Sequence, residues 1–150
     1  MNNKKIYFDM DGVLADFNKE HKAVERFAAE KGFFERLEAT ELTKKLARTI
    51  NKTDTTNWFI LTASPNKAAD TDKINWVKQY LPTLATKVII VRNGKDKADL
   101  AKGGNLLIDD YTDNLKHWQL AGGKGIKALN GQNAKTNRYK QYTVAELEVN

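Results

Sequence analysis

Four short runs of apolar residues constrain the fold of this chain more than any other feature of its sequence. The runs are residues 6–8, 58–61, 88–91 and 106–108, with a weaker fifth run at 126–129. They are nearly continuous, whereas a strand with one face in water alternates apolar and polar residues. The pattern therefore predicts a parallel sheet that is covered on both faces.

Segments with the apolar spacing of amphipathic helices lie between these runs. They are residues 19–31, 40–50, 70–81 and 112–121. In addition, Thr143 and Glu146 have the spacing of a capping box before a short C-terminal helix. Strands that alternate with helices predict an α/β fold, a three-layer α/β/α Rossmann-like parallel sheet. The length suits one domain that spans residues 1–150.

The interval between the first two runs is longer than one crossover requires. A right-handed crossover between parallel strands needs one helix, and residues 17–56 have room and helical spacing for two. We interpret residues 17–56 as a small helical cap that is inserted after the first strand.

The charge balance of the chain is basic. Its 25 lysines and arginines exceed its 19 aspartates and glutamates, which gives a net charge of +6. A basic surface attracts anions, so nucleic acid and small phosphorylated molecules are both candidate partners. A lysine-rich solvated surface without functional meaning carries the same charge. The charge alone therefore leaves all three interpretations open.

The rarer residue types exclude several kinds of site. The chain has no cysteine and two histidines, which excludes disulfides, thiolate metal sites and a cysteine nucleophile and argues against a multi-histidine metal centre. No run of about 18 apolar residues is present, so we expect no membrane span. The first residues also lack the apolar stretch of a signal peptide. We expect a cytoplasmic protein, and the sequence leaves its oligomeric state open.

Polar residues follow each of the four strong runs, where the predicted strands end. In chain order they are Asp9 and Asp11, Thr62 and Ser64, the basic loop 92–97, and Asp109 with Asp110. Each segment alone is commonly a turn, a solvated loop or a helix cap. Because the carboxyl ends of parallel strands form one ligand-binding edge, the segments together favour a catalytic site.

The residue types at this edge indicate a particular chemistry. Four neighbouring carboxylates repel one another and raise each other's pKa, which a divalent cation relieves. A site of oxygen ligands without histidine suits Mg²⁺. Hydroxyls, a lysine and backbone N–H groups beside the metal suit a phosphoryl group. We therefore predict Mg²⁺-assisted phosphoryl transfer.

The segment Asp-Met-Asp-Gly-Val-Leu-Ala-Asp-Phe at residues 9–17 resembles the first motif of the haloacid dehalogenase superfamily. Thr62 matches the second motif, Lys97 the third, and Asp109 with Asp110 the fourth, so that the resemblance spans roughly residues 5–129.

A closer resemblance is to the 5′(3′)-deoxyribonucleotidases, including their bacterial and phage forms. Three further segments carry it: Phe-Phe-x-x-Leu at 33–37, Lys-x-x-Trp-Val at 73–77, and Leu-Ile-Asp-Asp at 107–110.

The resemblance implies a role for each matching residue. Asp9 is expected to be the nucleophile that forms an aspartyl-phosphate, and Asp11 the acid that protonates the leaving alkoxide and then the base that activates water. Thr62 and Ser64 are expected to bind the phosphoryl group. Lys97 is expected to neutralise the phosphoryl oxygens and to orient Asp9.

The resemblance also implies a metal site. Mg²⁺ is expected between the Asp9 carboxylate, the Asp11 carbonyl and Asp110, with Asp109 close by or bridged through water. The chain must then turn directly after Asp9, because alternating side chains on a strand would diverge, and Gly12 permits that turn.

This sequence departs from the family pattern at several points. The Thr-Ala-Ser-Pro loop at residues 62–65 is one residue longer than the Thr-Ser-Pro loop of the animal deoxyribonucleotidases, which makes Ser64 a weaker match to the family. Lys73, Lys95 and Lys102 compete with Lys97 for the phosphate, although Lys97 has nearly the family's spacing to the fourth motif.

The segment 17–56 is much shorter than the animal cap, which holds the nucleobase pocket. Phe17 and Lys73 are candidate substrate contacts, and Phe17, Phe33 and Phe34 have a second interpretation as core residues.

We predict a Mg²⁺-dependent phosphomonoesterase that hydrolyses deoxynucleoside monophosphates, with a small phosphomonoester as its partner. One alternative is a phosphatase that acts on nucleic-acid 3′ or 5′ ends or on another phosphorylated metabolite. A second is a non-enzymatic phospho-acceptor like a response-regulator receiver, whose acceptor aspartate follows the third strand instead of the first. A third is a catalytically silent binding module.

Overall fold

The computed structural model describes residues 3–20 and 22–128. Within these residues five strands form one sheet: β1 Ile6–Phe8, β2 Trp58–Ala63, β3 Val88–Val91, β4 Leu106–Asp109 and β5 Lys124–Lys127. Their order in the sheet is β3-β2-β1-β4-β5, and every neighbouring pair is parallel. The predicted α/β class with a parallel sheet is confirmed.

The fifth strand begins two residues before the weak run that predicted it. It pairs with β4 from Lys124 to Lys127, and residue 129 lies outside the described residues. Lys124 and Gly125 are not apolar and therefore gave no signal. An edge strand needs backbone partners on one side, and its side chains need not be apolar on both faces.

In the same described residues four α-helices lie between the strands: α1 Ala23–Arg26, α2 Glu41–Thr49, α3 Lys67–Tyr80 and α4 Thr112–Leu120. The predictions for α2 and α4 are confirmed within a residue or two. α3 begins three residues before its predicted start because the Asn66 side chain accepts a hydrogen bond from the Ala69 N–H and caps the helix. The predicted helix near residues 143–146 lies outside the described residues.

The prediction of a helix over residues 19–31 is wrong. The segment contains only the single turn α1, preceded by a 3₁₀ turn at Phe17–Lys19. Lys22 adopts a left-handed conformation with φ of 53°, and a right-handed helix cannot continue through such a residue. Ala28, which the apolar spacing placed on the inner face, is exposed.

Two apolar clusters cover the sheet, one on each face. Phe8 belongs to one cluster and its neighbour Tyr7 to the other, because successive side chains of a strand point to opposite faces. The Phe8 cluster includes Leu46 of α2 and Trp76 of α3. The Tyr7 cluster includes Trp118 of α4. The sheet therefore lies between two layers, and its carboxyl edge stays available for a site.

The segment 17–56 packs on α3. The Trp76 indole donates a hydrogen bond of 2.8 Å to the Leu37 carbonyl, and the Asn75 amide donates to Glu35 at 2.7 Å. These contacts hold the segment against α3. Three of its phenylalanines also line a pocket with Asp11, at the carboxyl edge of the sheet. Its role as a cap within one domain of residues 1–150 remains a prediction. No helix in the described part of the chain has the length and apolarity that crossing a bilayer requires.

Candidate active site

The chain reverses direction directly after β1. The Asp9 N–H donates to the Ile108 carbonyl of β4, and the Leu14 and Ala15 N–H groups both donate to the Met10 carbonyl. Gly12 has a φ of 86°, a conformation that disfavours any residue with a Cβ atom. The turn expected after Asp9 is therefore present, and it brings two carboxylates to the same edge of the sheet.

Lys97 lies between two carboxylates at the centre of this edge. Its Nζ atom is 2.8 Å from Asp9 Oδ1 and 2.9 Å from Asp109 Oδ2, and its side chain is 1% exposed. Burial lowers the pKa of Lys97, but the charges of Asp109 and Asp9 outweigh burial and raise it well above its usual value. Lys97 is therefore a permanent cation. Lys95 and Lys102 are exposed.

Asp9, Asp109 and Asp110 form a buried acidic cluster. One carboxylate oxygen of each lies within 4.8 Å of those of the other two. Burial and the Asp109 charge raise the pKa of Asp9, and Lys97 offsets part of this. Burial also favours a raised pKa for Asp109, but Lys97, with hydrogen bonds from the Tyr111 N–H and from Asn114, lowers it.

The acidic cluster fits Mg²⁺ by the chemistry of its donor atoms. All three ligand atoms are carboxylate oxygens, which is the donor set that a small hard cation prefers. Burial and the neighbouring carboxylates raise the pKa of Asp9, so negative charge on the cluster is unfavourable unless a cation offsets it. The Asp11 carboxylate is not part of the cluster.

The side chain of Asp11 is held by a second buried lysine, on α3. Lys73 Nζ lies 2.7 Å from Asp11 Oδ2, 2.8 Å from Thr62 Oγ1 and 2.6 Å from the Ala63 carbonyl. The ammonium also lies over the Phe34 ring, 4.3 Å from its centroid. The sequence pattern marked Lys73 as a rival of Lys97, but the two lysines hold different carboxylates.

A third buried lysine, Lys127 on β5, is a residue that the sequence reasoning missed. Its Nζ atom donates to the Asp110 carbonyl at 2.7 Å and to the Thr112 hydroxyl at 2.8 Å. Burial lowers the pKa of Lys127, while the charges of Asp110 and Asp109 oppose this. A lysine inside an otherwise apolar run at a strand end was the signal that could have found it.

A pocket of about 310 Å³ opens beside Asp11. Its lining combines three aromatic rings with small and polar residues: Asp11, Phe17, Phe27, Phe34, Ala63, Ser64, Pro65 and Arg92. Phe17 is half-buried, whereas Phe33 and Phe34 are buried in the core.

Two polar residues of the pocket lining, Arg92 and Ser64, have partners within the protein. Arg92 donates two hydrogen bonds of 2.8 Å to Asp70, and the buried Ser64 hydroxyl lies 3.4 Å from the Asn66 carbonyl. The lining therefore combines the apolar surface of the aromatic rings with polar groups.

Comparisons with known proteins find one matching family by sequence and similar folds among solved structures. The family model described as "5′ nucleotidase, deoxy (Pyrimidine), cytosolic type C protein" matches residues 20–147. The structure of D,D-heptose 1.7-bisphosphate phosphatase from B. bronchiseptica, complexed with magnesium and phosphate, superposes with a TM-score of 0.62 at 14% identity, covering 97% of this chain and 96% of that chain.

The HAD domain of effector protein Lem4 from Legionella pneumophila gives a TM-score of 0.55 at 14% identity, covering 96% of this chain and 91% of that domain. At such identities these likenesses establish the fold alone. No curated protein matches the chain by sequence.

Proposed function

The chain belongs to the family of cytosolic type C 5′ nucleotidases (deoxy, pyrimidine), which are phosphatases of the haloacid dehalogenase superfamily, and on this premise we propose that it is a Mg²⁺-dependent nucleotidase. Its proposed substrates are deoxynucleoside monophosphates, and its proposed location is the cytoplasm. The observation that carries the proposal is the pairing of Asp9 with Lys97 beside Asp109 and Asp110, with Asp11 held separately nearby.

In the proposed reaction Asp9 attacks phosphorus. The bond from phosphorus to the nucleoside oxygen breaks, and the leaving alkoxide takes a proton from Asp11. Asp11 then takes a proton from water, whose oxygen attacks phosphorus and breaks the bond to Asp9. Inorganic phosphate leaves, and both aspartates return to their starting states.

We propose that two side chains hold the phosphoryl group. Lys97 supplies a permanent positive charge next to Asp9, which offsets the charge that builds up on the phosphoryl oxygens. Thr62 accepts a hydrogen bond from Lys73, and its hydroxyl donates to the Ala63 carbonyl at the long distance of 3.4 Å, a bond that it would exchange for one to a phosphoryl oxygen. Ser64 is proposed as a further contact because it lines the neighbouring pocket.

The residues proposed to hold Mg²⁺ are Asp9, Asp109 and Asp110, together with the main-chain carbonyl of Asp11. When bound, the ion supplies positive charge that offsets the repulsion between the Asp9 carboxylate and a phosphoryl group. Lys97 and Lys127 hold the carboxylates and their loop in place around that position.

The aromatic pocket supports a nucleotide as the substrate. Phe17 and Phe27, which are half-buried, provide ring surfaces on which a base can stack, and Asp11 lines the same pocket. We therefore propose that Phe17 contacts the base.

A phosphatase screen tests the proposed substrate. Deoxynucleoside monophosphates, sugar phosphates and oligonucleotides with 3′ or 5′ phosphates are compared with and without Mg²⁺, and we expect the mononucleotides to have the highest kcat/KM. If nucleic-acid ends were the substrate, oligonucleotides would be preferred, and their KM would rise steeply with salt because counterions are released on binding. Preference for a sugar phosphate would contradict the nucleotide proposal and leave the phosphatase in place.

Replacement of Asp11 by asparagine tests the general acid. A nucleoside alkoxide must be protonated as it leaves, whereas p-nitrophenolate is a weak base that needs little help. We therefore expect Asp11→Asn to lower the single-turnover rate on the nucleotide more than on p-nitrophenyl phosphate, by roughly 10²–10⁴-fold. Single-turnover kinetics isolate this first step from the hydrolysis of the aspartyl-phosphate. An equal loss on both substrates would mean that another residue is the acid.

A further inference from the structure

Lys73 uses its whole hydrogen-bonding capacity within the protein. Its side chain is 0% exposed, and an ammonium has three N–H groups, which match the three acceptors Asp11 Oδ2, Thr62 Oγ1 and the Ala63 carbonyl. The Phe34 ring lies next to the ammonium. Lys73 therefore has no donor left for a substrate, which argues against the substrate contact expected from the sequence.

The two oxygens of Asp11 have different surroundings. Oδ2 accepts the bond from Lys73, while Oδ1 is buried and has no hydrogen-bond partner among the described residues. Asp11 also lines the aromatic pocket. A buried oxygen without a partner is costly, and such an oxygen persists where a ligand or a reaction uses it.

We propose that Lys73 is a positioning residue that holds Asp11 by Oδ2 and thereby makes Oδ1 the oxygen that transfers the proton. This inference rests on the proposed function. In the first step the O–H bond at Oδ1 breaks and the proton passes to the leaving oxygen. In the second step a water proton passes to Oδ1. Oδ2 can accept the hydrogen bond from Lys73 both before and after the proton leaves Oδ1.

The same ammonium also fixes the distance between the acid and the phosphoryl site, because it binds Thr62 as well as Asp11. Proton transfer requires the acid within hydrogen-bond reach of the leaving oxygen, so a displacement of about 1 Å costs up to about 10²-fold in rate. Lys73 thus acts on the reaction through Asp11 without touching the reacting atoms.

The test combines Lys73→Met with Asp11→Asn in a double-mutant cycle. We expect Lys73→Met alone to lower the single-turnover rate on the nucleotide by about 10–100-fold, with a smaller loss on p-nitrophenyl phosphate and little change in KM. In the Asp11→Asn background the same replacement should cost less than about threefold, because the group it positions is already lost.

Lys127→Met is the matched control. It also removes a fully buried lysine beside the acidic cluster, but Lys127 holds a main-chain carbonyl and a threonine instead of Asp11. We expect its losses to be equal on the two substrates and to persist in the Asp11→Asn background. Lys73→Arg is the second variant. It keeps the positive charge but cannot make all three contacts from one nitrogen, so, like Lys73→Met, it should lose more rate on the nucleotide than on p-nitrophenyl phosphate.

The outcomes separate the two proposals. If the wild-type protein does not hydrolyse either substrate, the proposed function is wrong. If the wild type is active and Lys73→Met loses as much in the Asp11→Asn background as alone, the positioning role is overturned. The double variant removes both charges of the Lys73–Asp11 pair, so no buried charge is left unpaired and we expect it to fold. Its melting temperature checks that the double-mutant cycle is measured on folded protein.

Discussion

Asp9→Asn is expected to lower kcat on a deoxynucleoside monophosphate by several orders of magnitude while the protein stays folded. Asparagine has the shape of aspartate, but its amide is a poor nucleophile and a poorer metal ligand, so the covalent step has no substitute. The fold should survive because Lys97 keeps Asp109 as a partner at 2.9 Å. Steady-state kinetics and thermal unfolding of the purified variant check both parts.

Asp113→Asn is the matched control for this replacement. It makes the same chemical change on an exposed residue in the first turn of α4, outside the acidic cluster. We expect its kcat to remain within about twofold of wild type, as for most surface changes. Turnover of a folded Asp9→Asn variant close to that of Asp113→Asn would rule out Asp9 as the nucleophile.

The strands and the acidic residues could be predicted from sequence because both depend on local patterns. Strands covered on two faces must be apolar throughout, and residues directly after parallel strands share one edge of the sheet. The structure brings together Asp9, Asp109 and Asp110, as expected for residues at the carboxyl ends of neighbouring parallel strands. The family motif placed Lys97, which the charge pattern alone could not have distinguished from Lys95 or Lys102.

The placement of the other two buried lysines depends on tertiary packing. Lys73 is on α3, and Lys127 is on the edge strand β5. A long side chain can reach a site or extend into water from such positions, and spacing along the chain does not distinguish these outcomes. The interruption at Lys22 was equally hidden, because a left-handed lysine has no sequence signature of the kind that glycine provides.

The structure places three buried lysines around four aspartates. Lys97 pairs with Asp9 and Asp109, Lys73 pairs with Asp11, and Lys127 holds the main chain at Asp110. The lysines thus organise the carboxylates without fully balancing their charge. This excess of negative charge, concentrated in the acidic cluster, is the physical reason to expect that a divalent cation is required.

Removal of divalent metal is expected to abolish activity, and Mg²⁺ should restore it. Ca²⁺ should restore it poorly, because it takes more ligands at longer distances and would misplace the phosphate relative to Asp9. Without substrate, Mg²⁺ should also raise the melting temperature, since a ligand that binds only the folded state stabilises that state. At a hundred times its Kd such a ligand raises the free energy of unfolding by about 2.7 kcal/mol. Asp110→Asn should weaken this stabilisation, whereas Asp113→Asn should retain it. Full activity in excess chelator would refute the argument from the acidic cluster, and stabilisation by Mg²⁺ that Asp110→Asn leaves intact would place the ion elsewhere.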